Sequence, residues 1–171
     1  NYKDPGYAKS VYARLVREFL RQGSFHLSLF TPLHYDACDI LFKMLDKAGL
    51  YAYTGLVNMD QNSPDYYVDD TDASLAKTER FIREHQYSER VKPILTPRFA
   101  PTCSRRLMEG LGELAKKYDL GVQTHLVESR AEAAWAKELF PEFGSDGQIY
   151  ESCGLLQGKG PKIFAHVIFP S

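Results

Sequence analysis

Two histidines, one glutamate and one arginine stand out because each sits where a strand-like run of residues ends. His125 closes the run Leu120 to His125, with Glu128 three residues beyond it; His166 closes Lys162 to His166; Arg98 and Phe99 follow Val91 to Pro97. A fourth run, Tyr51 to Val57, leads into Asn58, Met59 and Asp60. In parallel α/β folds the functional side chains gather at the carboxyl ends of strands, so these groups are candidates for one shared rim. Neutral imidazole is a good ligand for Zn²⁺, and two histidines on adjacent strands can point into a common cavity. A metal held there would lower the pKa of a bound water and make a nucleophile near neutral pH. Glu128, in the loop beyond the strand, is placed to move protons beside that water without ligating the metal. Arg98 offers a planar fork of donors for a carbonyl or ring-nitrogen edge, and Phe99 a face on which a flat ring can stack.

Each of these residues also has a structural reading. A histidine at a strand end is more often packed or hydrogen-bonded than metal-bound. Arg98 alone reads as an ion-pair residue, Phe99 as core, and Glu128 as an anion serving a helix N-terminus. His26, His34 and His85 read as structural or exposed, with His34 notable for following a strand.

The elements that would carry these groups alternate helix and strand. Apolar residues at Tyr7, Ala8, Val11, Tyr12, Leu15, Val16, Phe19 and Leu20 mark one helical face, which Gly23 ends. Ser24 to Phe30 reads as a strand. Asp36 is placed to cap a second helix bearing Ile40, Leu41, Met44, Leu45 and Ala48, which stops at Gly49. Met59 to Asp70 is polar and contains Pro64, the composition of an ordered loop, and a charged helix runs from about Thr71 to His85. Ser104 is placed to cap a helix with Leu107, Met108, Leu111, Leu114, Ala115 and Tyr118 on its inner face. Ser129 and Glu132 have capping-box spacing, with Trp135 and Leu139 on the helix behind them, and Pro141 ends that helix. A loop rich in glycine and acidic residues then leads to the last strand. Repeated β-α units require a parallel sheet. An open doubly wound sheet and an eight-stranded barrel compete; the barrel typically takes ~250 residues, and no strand is followed by G-x-G-x-x-G, the mark of a dinucleotide fold.

The chain has 171 residues, enough for one domain with a hydrophobic core. A formal net charge of -1 gives no electrostatic basis for binding nucleic acid or an anionic membrane. No apolar run is long enough to span a bilayer. The three cysteines, Cys38, Cys103 and Cys153, are widely spaced and odd in number, which fits a reducing, cytoplasmic setting better than a disulfide framework. The first residue is Asn1 rather than Met, as expected for an excerpt or a processed start.

Gly55-Leu-Val-Asn-Met-Asp60, Val91-Lys-Pro-Ile-Leu-Thr-Pro-Arg-Phe99 and Gln123-Thr-His-Leu-Val-Glu128 together resemble the guanine deaminases of the amidohydrolase superfamily. Thr78-Glu-Arg-Phe81, Leu107-Met-Glu-Gly-Leu-Gly112 and Phe164-Ala-His166 are similar in the same order along nearly the whole chain. The resemblance implies part of a (β/α)8 TIM-like barrel of the metal-dependent hydrolase type, about strands two to six, with residues 1–171 forming a single partial barrel domain. It implies hydrolysis of guanine to xanthine and ammonia by a zinc-activated water, with iron as the alternative metal. His125 and His166 then match metal ligands, Glu128 the proton-shuttling glutamate, and Arg98 and Phe99 the residues that hold the purine. It also implies a purine as small-molecule partner and a homodimer as the assembly often seen among relatives. The His-x-His pair that such proteins carry on their first strand, and the aspartate on their eighth, are not in this sequence. The piece by itself is therefore expected to be inactive. Val127 stands where a small polar residue is usual, Ser129 where Asn is usual, and Gly23-Ser-Phe-His26 where a Gly-Thr-Thr run is usual. The competing readings are a related amidohydrolase acting on another heterocycle, and a truncated barrel serving as a scaffold.

Overall fold

The computed structural model describes residues 1–169. It is an α/β structure in two compact units, one made of Asn1–Val57 with Lys77–Ile94, the other of Asn58–Ala76 with the chain from Leu95 onward. Its strands are β1 (His26–Phe30), β2 (Tyr51–Gly55), β3 (Val57–Asn58), β4 (Val91–Pro93), β5 (Thr96–Pro97), β6 (Val122–Leu126) and β7 (Lys162–His166). Its helices are α1 (Pro5–Arg21), α2 (Tyr35–Lys47), α3 (Thr71–His85), α4 (Arg105–Tyr118), α5 (Arg130–Leu139) and α6 (Asp146–Ser152).

In the first unit β1, β2 and β4 pair in parallel in that order, with His26 opposite Tyr51 and Ala52 opposite Val91. Asp4 caps α1 by accepting the Gly6 N–H at 2.8 Å, and Pro5 opens the helix, where its missing N–H costs nothing. The buried stripes of α1 (Ala8, Tyr12, Val16) and α2 (Ala37, Cys38, Leu41, Phe42, Leu45) form a core with Ala52, Phe81 and Val91. The other face of the sheet is open: Tyr51 is 50% exposed, Tyr53 36%, and the His26 ring stacks on Tyr51 at 5.1 Å between centroids. Asp36 is not the cap of α2. The N-cap position belongs to His34, and Asp36 lies in the first turn, where a negative charge suits the helix dipole.

In the second unit Leu95 bridges in parallel to Val122, and β6 pairs with β7 in parallel over its length. The loop from Met59 is ordered, as its composition suggests. The Asp60 carboxylate accepts from Thr71 Oγ1 and from the Ser104 N–H, each at 2.7 Å. Ser104 caps α4 by accepting the Leu107 N–H at 3.1 Å, and Leu107, Met108, Leu111, Leu114 and Ala115 face inward. Gly112 lets α4 approach closely, since a Cβ there would lie 1.9 Å from the Cys153 carbonyl oxygen.

Two expected strands are each broken. The run from Tyr51 splits after Gly55; the run from Val91 splits after Pro93, a residue with no N–H to give a ladder. The segment expected to be loop after Pro141 contains α6. No helix among the described residues is long and apolar enough to cross a membrane.

Candidate active site

The parallel register of β6 and β7 sets His125 opposite Ala165 and Leu126 opposite His166. Strict alternation would send the two imidazoles to opposite faces. The backbone departs from it at the strand end: His166 and Val167 take left-handed φ values of 74° and 51°, and Val127 one of 43°. Such conformations are costly for β-branched and bulky residues, and they concentrate at functional sites. With this turn the two rings stack, 5.5 Å between centroids and 23° between planes.

The Arg98 carbonyl oxygen is the fixed point of the site. It accepts from the His125 N–H at 3.1 Å and lies 2.7 Å from His125 Nδ1. A carbonyl can only accept, so the proton belongs on Nδ1 and the lone pair on Nε2, the tautomer a metal ligand requires. Two imidazoles on neighbouring strands are donors of the kind that zinc takes, so the chemistry of the pair fits such a metal as two of its ligands. His166 Nε2 also lies 3.6 Å from a Glu128 carboxylate oxygen, an ion-pair distance rather than a hydrogen bond. Among the described residues no third donor closes with both histidines into a three-ligand group.

The described residues do contain one group with metal-ligand spacing, Asp39, Glu84 and His85, whose donor atoms lie within 4.8 Å of one another. It belongs to the first unit and its donors are already engaged. His85 Nε2 and Lys43 Nζ meet Asp39 at 3.0 and 2.7 Å, while Arg80 and the Tyr35 hydroxyl meet Glu84. Burial between the Phe42 and Phe81 rings pulls the His85 pKa down, partly offset by Asp39. We read this cluster as an ion-pair network tying α2 to α3.

A cavity of about 110 Å³ is lined by Arg98, Phe99, His125, Glu128 and Glu132. The Arg98 guanidinium lies 5.1 Å from the centre of the Phe99 ring, and that ring meets Trp135 edge-on at 6.1 Å. Four of the five residues singled out in the sequence thus share one cavity, and His166 borders it through His125 and Glu128. Sequence reasoning missed the supporting groups. Tyr150, buried on α6, accepts the Ala100 N–H at 2.8 Å and donates to the His125 carbonyl at 3.2 Å. Burial pushes its hydroxyl pKa upward. Gln123 Nε2 donates to Thr96 Oγ1 at 3.0 Å, locking β6 to β5 in the interior. The three cysteines are free, buried thiols, and burial pushes Cys38 and Cys103 up to about 12.

Residues 3–171 match the model of the amidohydrolase family. The chain belongs to the amidohydrolase family. Among amidohydrolases it is 38% identical to guanine deaminase of Homo sapiens over 96% of its length, and 35% identical to that of Dictyostelium discoideum over 98%. It spans about 37% of the length of these relatives. A crystal structure of guanine deaminase from C. acetobutylicum with guanine in its active site superposes with a TM-score of 0.96 at 43% identity, covering 99% of this chain and 41% of that one. A triazine hydrolase, 18% identical, superposes with a TM-score of 0.86 and shares the fold.

Proposed function

We propose that the protein carrying this chain deaminates guanine hydrolytically, giving xanthine and ammonia. The observation that carries this reading is the stacked His125–His166 pair, 5.5 Å between centroids, with the Glu128 carboxylate 3.6 Å from His166. The similarity to guanine deaminases along the whole chain supports the choice of substrate. In this proposal the chain is part of a (β/α)8 barrel, about strands two to six, within a single domain of a cytoplasmic homodimer.

Zinc, or iron in its place, held by His125 and His166 would supply a Lewis acid that lowers the pKa of a water molecule. Glu128 would pass one proton of the water that attacks the ring carbon bearing the amino group to the adjacent ring nitrogen. It would then pass the proton of the resulting hydroxyl to the amino nitrogen, so that the C–N bond breaks, ammonia leaves and a carbonyl remains. The Glu128 side chain is more than half exposed and starts in a loop, with its carboxylate 3.6 Å from His166 Nε2. Arg98 donates to the carbonyl edge of the ring, and Phe99 packs on its face.

The test uses the full-length protein loaded with zinc, following loss of guanine and appearance of xanthine by ultraviolet absorbance. Absence of xanthine at micromolar enzyme overturns the reading. Glu128→Gln should keep the metal and lose turnover by about 10²–10⁴-fold; loss of zinc in that variant would make Glu128 a ligand instead. A panel of triazines, pterins and other purines separates guanine from related heterocycles.

A further inference from the structure

Glu132 is a carboxylate with only 8% of its surface exposed, on the first turn of α5, yet it reaches the same small cavity as Arg98, Phe99, His125 and Glu128. Burying a carboxylate without a partner is expensive, so the partner it finds is informative. Its Oε2 accepts the backbone N–H of Glu128 at 3.1 Å. In an ordinary capping box the glutamate reaches back to the N–H of the cap residue itself, here Ser129; this one reaches one residue further, to Glu128. The Ser129 hydroxyl in turn accepts the Glu132 N–H at 3.1 Å, which fixes the root of the side chain.

The residue before Glu128 is Val127, a β-branched side chain held at φ 43°. That conformation persists only where the surroundings hold it on both sides. On one side the Val127 carbonyl accepts the Ile168 N–H at 3.2 Å and the Phe169 N–H at 3.3 Å. On the other, the Glu128 N–H is tied to Glu132. The strained step is thus clamped between the end of β7 and the start of α5.

We propose that Glu132 is a positioning residue: its carboxylate pins the backbone of Glu128 and so aims the glutamate carboxyl at the His125–His166 pair. This rests on the role given to Glu128 above. In this role Glu132 acts through the peptide N–H of its neighbour.

The experiment compares Glu132→Gln, which keeps an acceptor oxygen, with Glu132→Met, which keeps the length and removes it, in the full-length zinc-loaded protein. Amide hydrogen exchange at Glu128 is read alongside kcat, KM, bound zinc and Tm. In the wild type the Glu128 amide should exchange slowly although it lies in a loop. Glu132→Met should raise that exchange about tenfold or more and lower kcat by roughly 10–100-fold with KM and zinc content little changed, as displacement of a reacting group does. Glu132→Gln should restore both to within about threefold of wild type, since its amide oxygen still accepts. A Glu128 amide that exchanges at loop rates in the wild type overturns the proposal, with no variant needed. So does a Glu132→Met protein with full kcat. A wild type that protects the Glu128 amide but does not consume guanine overturns the function and leaves the clamp standing, which keeps the two failures distinct.

Discussion

Asp146→Asn should stabilise the protein at pH 8 and lose that advantage as the pH is lowered to 4. Asp146 begins α6 with 7% of its surface exposed, and its Oδ2 is buried with no hydrogen-bond partner among the described residues. Burial first, and then the nearby Glu132 carboxylate, push its pKa from 3.8 to about 6. Well below pH 3.8 the carboxyl is protonated in both folded and unfolded chains and carries no penalty. Between about 4 and 6 the folded protein holds a proton that the unfolded chain releases, so stability falls as pH rises. Above 6 the penalty is complete. The difference between 3.8 and about 6 corresponds to a ceiling of about 3 kcal/mol. Asparagine resembles the protonated acid in shape and cannot ionise. Its own buried amide needs partners, which reduces the expected gain at pH 8 to about 1–3 kcal/mol. Urea denaturation of wild type and variant at each pH from 4 to 8 measures this directly, because other titrating carboxyls cancel in the difference. An Asn variant that is less stable at pH 8, with the pH slope of the wild type intact, refutes the reasoning.

Tyr150→Phe removes the acceptor of the buried Ala100 N–H and should cost about 1–3 kcal/mol in denaturant titration. The same change frees the His125 carbonyl, so it should also lower kcat in the guanine assay. Burial holds the His85 pKa below its usual 6.5, so the unfolded chain takes the proton first as the solution is acidified and stability drops below about pH 6.5. His85→Gln should flatten that part of the stability-versus-pH curve, as read by denaturation between pH 5 and 7.

Much of this was legible in the residues. Ser104 capping α4, the charged helix from Thr71 to His85, and His125 and His166 at the ends of parallel strands all follow from local pattern, since each is a short-range consequence of side-chain type. The rest depends on groups that sequence does not display. The carbonyl of Arg98, rather than its guanidinium, orients His125, and every residue has a carbonyl. The left-handed turns at Val127 and His166 fall on residues that disfavour them, so no glycine announces them. The helix α6 is seven residues long and contains Gly147, too short and too poor in helix formers to stand out, so Tyr150 was hidden with it. Asp36 looked like a cap, but the chain enters the helix at His34, and the cap position is set by backbone geometry.

The bare side of the β1–β2–β4 sheet has a practical consequence. Parallel sheets are ordinarily sandwiched between layers, and here two tyrosines and a histidine meet the solvent on one side. Handled alone and concentrated, this polypeptide should be sticky, pairing through those rings and losing colloidal solubility long before it unfolds. Crystallisation or spectroscopy on it will go better dilute, or with Tyr51 and Tyr53 changed to polar residues.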